Sequence, residues 1–160
     1  MNTAMKYEPT GPTHGKILVI DDNPHIQRAV FLLFRDRGYK ILMSGNIADA
    51  LSVVRSERPN LILMDLSFAT QNSVTGASGA FSATEWLNQI PDAEKLPVVI
   101  SSSINSEAIE GRALAAGAVG YLQKPFDSEK LFMFAKKHVP TRSRRLADNL
   151  GDALKLVTTC

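Results

Sequence analysis

The run Asn60-Leu-Ile-Leu-Met-Asp65 restricts the possible folds more than any other stretch of the chain. Its four consecutive apolar residues lack the polar alternation of a half-solvated strand. A short strand buried on both faces satisfies such a run, as in a parallel sheet covered by helices. Asp65 then lies at the strand's carboxyl end, the edge of open α/β sheets where ligands bind. Taken alone, an Asp there more often caps the following turn, since Asp side chains bond readily to nearby backbone N–H groups.

The theme recurs along the chain. Ile17-Leu-Val-Ile20 is a second buried strand and ends in Asp21-Asp22. Asn23 suits a helix N-cap and Pro24 the first helical position. Ile26, Ala29, Val30, Leu33 and Phe34 follow at helical spacing as a buried stripe, and Gly38 closes that helix. Tyr39–Met43 is another strand. Asn46 caps a helix with Ile47, Ala50, Leu51 and Val54 inward, and Pro59 lies beyond its end. After Asp65, residues 66–82 are rich in Ser, Thr, Gly and Ala and read as a loop, long for a compact domain. Residues 83–90 predict a helix with Trp86, Leu87 and Ile90 inward.

Pro97 opens the run Val98-Val-Ile100, which ends in Ser101-Ser102-Ser103. Asn105 or Ser106 starts a helix that runs through Ala116 and ends at Gly117. Val119–Gln123 is the fifth strand, and Lys124-Pro125-Phe126 follows it. Asp127 or Ser128 caps a last helix with Leu131, Phe134, Ala135 and His138 on one face, and Pro140 stops it. Five strand–helix alternations predict a doubly wound α/β fold: a five-stranded parallel sheet with right-handed crossovers and helices on both faces.

The 160 residues suffice for one domain with its own core. Residues 1–15, with Pro9, Gly11, Pro12 and Gly15, are expected as a mobile leader, and 16–139 as the domain. In the tail over 140–160, Leu146, Leu150, Ala153, Leu154 and Val157 predict one more amphipathic helix, packed on this domain or on a partner. A net charge of +2 and the three arginines Arg142, Arg144 and Arg145 make a weak footprint for nucleic acid, so none is expected. Cys160 is the only cysteine, which excludes an internal disulfide or a thiolate metal site and fits a reducing cytoplasm. No apolar run reaches membrane-spanning length.

The strand ends bring the chemistry. Asp21, Asp22, Asp65, Ser102 and Lys124 each stand where an apolar run stops, so the predicted sheet delivers them to one rim. Three carboxylates together are strained, because like charges disfavour ionisation. A hard divalent cation relieves this, and oxygen donors without His or Cys suit Mg²⁺. The three carboxylates, one dication and the Lys124 ammonium then sum to zero charge, and the site can admit a phosphoryl group. A carboxylate nucleophile would form an acyl phosphate, with catalysis mostly by positioning and charge neutralisation. His25 follows the acidic pair, but it falls in the first turn of a helix and is not expected to bind metal.

Over about residues 16–138 the chain resembles the receiver domain of bacterial two-component response regulators, the group that includes the single-domain chemotaxis regulator. The resemblance rests on Ile-Leu-Val-Ile-Asp21-Asp22, Leu-Ile-Leu-Met-Asp65, Pro97-Val-Val-Ile-Ser-Ser102 and Ala116-Gly-Ala-Val-Gly-Tyr-Leu-Gln-Lys124-Pro125-Phe126, in that order. It implies a flavodoxin-like sheet of strand order 2-1-3-4-5. It implies Asp65 as phosphoacceptor, Asp22 as direct Mg²⁺ ligand, Asp21 as ligand through water, and the Ser67 backbone carbonyl as a further ligand. Ser102, five residues past Pro97 and 22 before Lys124, would be the switch hydroxyl. Tyr121 would be the switch aromatic and Lys124 the phosphate-binding cation. Implied partners are a histidine kinase or histidine phosphotransfer protein, and a downstream protein at the face of the fourth helix, fifth strand and fifth helix. No membrane partner is expected.

The sequence departs from the family beside the acceptor. The family has Met-Pro shortly after its phosphoacceptor and a Gly opening the next helix, whereas Leu66-Ser-Phe-Ala-Thr70 stands here and Ala83 takes the Gly position. The expected function is a stand-alone, phosphorylation-controlled switch with no enzymatic turnover of other substrates. Alternatives are a phosphorelay intermediate and a scaffold that works without phosphorylation. An aspartyl-phosphate phosphatase needs a second Asp two residues after the nucleophile, and Ser67 stands there.

Overall fold

The computed structural model describes residues 6–7, 14–67 and 96–140. Its elements in chain order are β1 (Lys6–Tyr7), β2 (Lys16–Ile20), α1 (Pro24–Arg35), β3 (Lys40–Ser44), α2 (Ile47–Glu57), β4 (Leu61–Asp65), β5 (Val98–Ser102), α3 (Glu107–Ala115), β6 (Gly120–Gln123) and α4 (Ser128–His138). The loop expected over 66–82, from residue 68 onward, and the helix over 83–90 lie outside the described residues, as do 141–160 of the tail and most of the leader.

The sheet order is β1-β3-β2-β4-β5-β6. The five longer strands are parallel, and counted among themselves they run 2-1-3-4-5, the expected flavodoxin-like order. The sixth strand was not expected: Lys6 and Tyr7, inside the stretch read as a leader, pair antiparallel with Leu42 and Ile41 at the sheet's edge.

The apolar strands are buried on both sides, and their side chains divide by parity, as a period of two requires. Leu18, Ile20, Leu42, Ile62, Met64, Val98 and Ile100 face Ala50, Val53 and Val54 of α2 and Ala113 of α3. Ile17, Val19, Ile41, Met43, Leu61, Leu63, Val99 and Leu122 face Val30 and Phe34 of α1 and Leu131 and Ala135 of α4. Helices therefore cover both faces.

The helix starts follow local chemistry. The Asn23 side chain accepts from the His25 N–H with Pro24 in the first turn, Asn46 accepts from the Asp49 N–H, and Asp127 accepts from the Glu129 and Lys130 N–H groups. Gly38 and Gly117 follow α1 and α3 at φ 75° and 94°, backbone that only glycine adopts cheaply. One stripe position differs from expectation: Ala29 is exposed, because α1 turns Val30 and Phe34 onto the sheet and leaves 29 at the stripe's flank. Leu66 and Ser67 carry helical backbone where the sequence placed the start of a loop.

Candidate functional site

The carboxyl ends of β2, β4 and β5 and the connection after β6 meet at one rim, where the chain supplies acids and one amine. Asp21 follows β2 and is 2% exposed. Its Oδ1 accepts the Asn23 N–H at 2.9 Å, and the Gln27 side chain ties the Asp21 carbonyl down at 2.7 Å. Asp65 ends β4. Lys124 reaches both acids: its Nζ lies 2.6 Å from Asp21 Oδ2 and 2.7 Å from Asp65 Oδ1.

Burial alone would lower the Lys124 pKa. Hydrogen bonds to Asp21 and Asp65, with their Coulombic attraction, outweigh that and hold the ammonium above the usual lysine value. The amine is thus a permanent cation at neutral pH, shared by two carboxylates from separate strands. The other oxygen of Asp65, Oδ2, accepts from the Ser67 N–H at 3.3 Å and from the Ser67 hydroxyl. Asp65 therefore also caps the helical turn that begins at Leu66, so the capping and ionic readings of this residue hold together.

Asp22 stands apart from this cluster, exposed one residue further along. Among the described residues no group of three or more carboxylate, imidazole or thiolate side chains is assembled for a metal ion. The donor chemistry nevertheless suits a hard dication. The Asp21 and Asp65 carboxylates already converge on one cation, and Asp22 follows Asp21 in sequence.

Ser102 is 3% exposed, and its hydroxyl oxygen accepts the Ile104 N–H at 3.0 Å. Tyr121, half-buried, donates its hydroxyl to the Ile104 carbonyl at 2.5 Å. One residue's peptide groups thus bond to both predicted switch side chains. The neighbouring Ser101 is equally buried, but its hydroxyl donates to the Met64 carbonyl at 3.3 Å and ties β5 to β4. Sequence reasoning did not anticipate the Ser67 hydroxyl, Gln27 or Ile104. A Ser two residues after an Asp is a recognisable turn signal, whereas nothing in the identity of Ile104 marks its backbone.

Comparison with known proteins places this rim in a family. The model of the response regulator receiver domain matches residues 17–136. The chain belongs to the response regulator receiver family. Protein PilH of Pseudomonas aeruginosa is 29% identical over 116 residues, covering 72% of this chain and 90% of PilH. Sporulation initiation phosphotransferase F of Bacillus subtilis is 28% identical over 128 residues, covering 80% of this chain and 96% of that protein. The transcriptional regulatory protein KdpE of Mycobacterium tuberculosis is 29% identical, but the receiver matches only 46% of its length.

Solved structures share the fold. A putative response regulator from Chloroflexus aurantiacus superposes with a TM-score of 0.65 at 20% identity, covering 79% of this chain and 97% of that one. The receiver domain of a sensor histidine kinase from Pseudomonas aeruginosa, with a magnesium ion coordinated in its active-site cleft, gives 0.63 at 22% identity, covering 79% and 98%. Among the described residues no helix of this receiver is long and apolar enough to cross a membrane.

Proposed function

We propose that this receiver is a phosphorylation-controlled switch that accepts a phosphoryl group on Asp65 from the phosphohistidine of a kinase or phosphotransfer protein. The observation that carries the reading is the Lys124 ammonium held between Asp21 and Asp65. It supplies a fixed positive charge beside Asp65, the carboxylate that ends the doubly covered strand β4.

In the transfer, an Asp65 carboxylate oxygen attacks phosphorus and the P–N bond to the donor imidazole breaks. The electron pair returns to the ring nitrogen, leaving an acyl phosphate on Asp65. Asp21, Asp22, Asp65 and the Ser67 carbonyl are the groups that would hold Mg²⁺, which supplies charge neutralisation for the phosphoryl oxygens. Lys124 stays protonated and pairs with one of those oxygens. Ser102 gives up its contact with the Ile104 N–H and donates its hydroxyl proton to another. Releasing Ile104 loosens the carbonyl that holds Tyr121, so the α3–β6–α4 face shifts its binding preference for a downstream protein. Phosphorylation here biases an equilibrium between two arrangements of that face.

Near-complete coverage of PilH and of phosphotransferase F supports a stand-alone role, with output through protein contacts or onward transfer. The test is incubation with Mg²⁺ and a small phosphodonor, read by intact mass. A gain of one phosphoryl group that disappears with Asp65→Asn or on chelation supports the reading. No gain with any small donor or with histidine-phosphorylated kinase removes it, and so does full signalling by Asp65→Asn, which would favour the scaffold.

A further inference from the structure

An open groove of about 740 Å³ runs between α3 and α4 over β6. Its walls are Leu114, Val119, Tyr121, Met133 and Phe134, and Gly120 forms its floor. Leu114 is 45% exposed and Met133 67%, so two large apolar side chains are left in water on one patch. The floor cannot fill the groove: a Cβ on Gly120 would lie 2.1 Å from the Phe134 ring. Lys130, Lys136 and Lys137 edge it along α4, and Glu110 edges it on α3. The rim is therefore net positive.

We propose that residues 141–160 fold back as an amphipathic helix and occupy this groove in the same molecule. Two observations support this occupant. The first is the apolar pattern: Leu146, Leu150, Ala153, Leu154 and Val157 fall on one helical stripe and match an apolar trough. Gly151 interrupts the stretch, and a helix this short is marginal by itself, so it needs a surface to form on.

The second is reach. Val139 leaves α4 with extended backbone and Pro140 bars continuation of the helix. Residues 139–145 then provide a connection within the roughly 2–8 residues that join packed helices. The stripe from Leu146 to Val157 is about 18 Å long as a helix, and the 11-residue α4 about 16 Å, so an antiparallel pairing spans the groove. A downstream protein that uses this face must then displace the tail.

Cys160, the chain's only thiol, lies at the end of this segment and gives a direct readout in the full-length, unphosphorylated protein. A nitroxide on Cys160 should broaden the NMR signals of Leu114, Lys130 and Met133 relative to the reduced label. The broadening should be independent of protein concentration, and should vanish in Leu150→Glu and in Met133→Glu. Met133 is 67% exposed and Leu150 follows the residues 17–136 that the receiver family matches, so neither substitution threatens the fold. Absence of broadening at the groove overturns the proposal, as does broadening that survives both substitutions. Broadening of an isotope-labelled, untagged chain by a spin-labelled unenriched one also overturns it, since the occupant is then a second copy. The measurement requires no phosphorylation, so its outcome is independent of the chemistry proposed at Asp65.

Discussion

The Lys124 ammonium separates two acids that would otherwise repel each other, and one of them, Asp21, is almost wholly buried. Lys124→Met should therefore cost about 1–3 kcal/mol in urea unfolding, less than a fully enclosed pair would, because Lys124 and Asp65 each keep 13% exposure. It should also abolish or sharply slow phosphorylation. The pH dependence has a definite sign. The folded Lys124 pKa lies above the ordinary value of 10.5, so its stabilising contribution is complete below that pH. It is lost as pH rises through the folded value. Alkaline unfolding above about pH 10.5 should carry this component in the native chain and lack it in Lys124→Met. Ser102→Ala should still take up a phosphoryl group on Asp65, while the accompanying chemical-shift changes at Ile104 and Tyr121 are lost; equal changes in both proteins would remove Ser102 from the switch. Asp21, Asp65 and Lys124 were legible as neighbours because each marks the point where an apolar run stops. The bridge through Ile104 was not, because it is made by backbone groups that every residue carries.

At the scale of elements, the helix starts were written in short polar signals, and Asn23, Asn46 and Asp127 each accept backbone N–H groups as their positions suggest. Asp127→Ala should lower stability by about 1 kcal/mol, measured by thermal or urea unfolding. Packing of α4 on β6 depends on Gly120. Gly120→Ala would drive a methyl into the Phe134 ring, costing about 1–3 kcal/mol. Adding Phe134→Leu should restore part of that loss; strict additivity of the two changes would show that they do not share this contact. The edge strand β1 escaped sequence reasoning because Lys6-Tyr7 is too short for alternation to appear, and Pro9 and Pro12 close by favour a loop reading. Its pairing depends on the exposed edge of β3, a partner more than thirty residues away.

For the molecule as a whole, the strand order makes the site. With β2 and β4 adjacent and β5 and β6 beyond them, residues 21, 65 and 124, far apart in sequence, reach one rim of the sheet. The alternation of elements was readable from periodicity, and the residue pattern at the strand ends pointed to the family. The pairing of Asp21 with Lys124 while Asp22 stays exposed was not readable, since it depends on side-chain reach rather than on residue type. The central claim is that Asp65, and no other residue, carries the phosphoryl group. It is tested most directly by treating the protein with Mg²⁺ and a phosphodonor, reducing any acyl phosphate with borohydride, and sequencing the peptides by mass spectrometry. Reduction converts an aspartyl phosphate to homoserine. Homoserine is expected at position 65, dependent on both donor and Mg²⁺; homoserine at another aspartate, or none under conditions that phosphorylate a related receiver, would contradict that assignment.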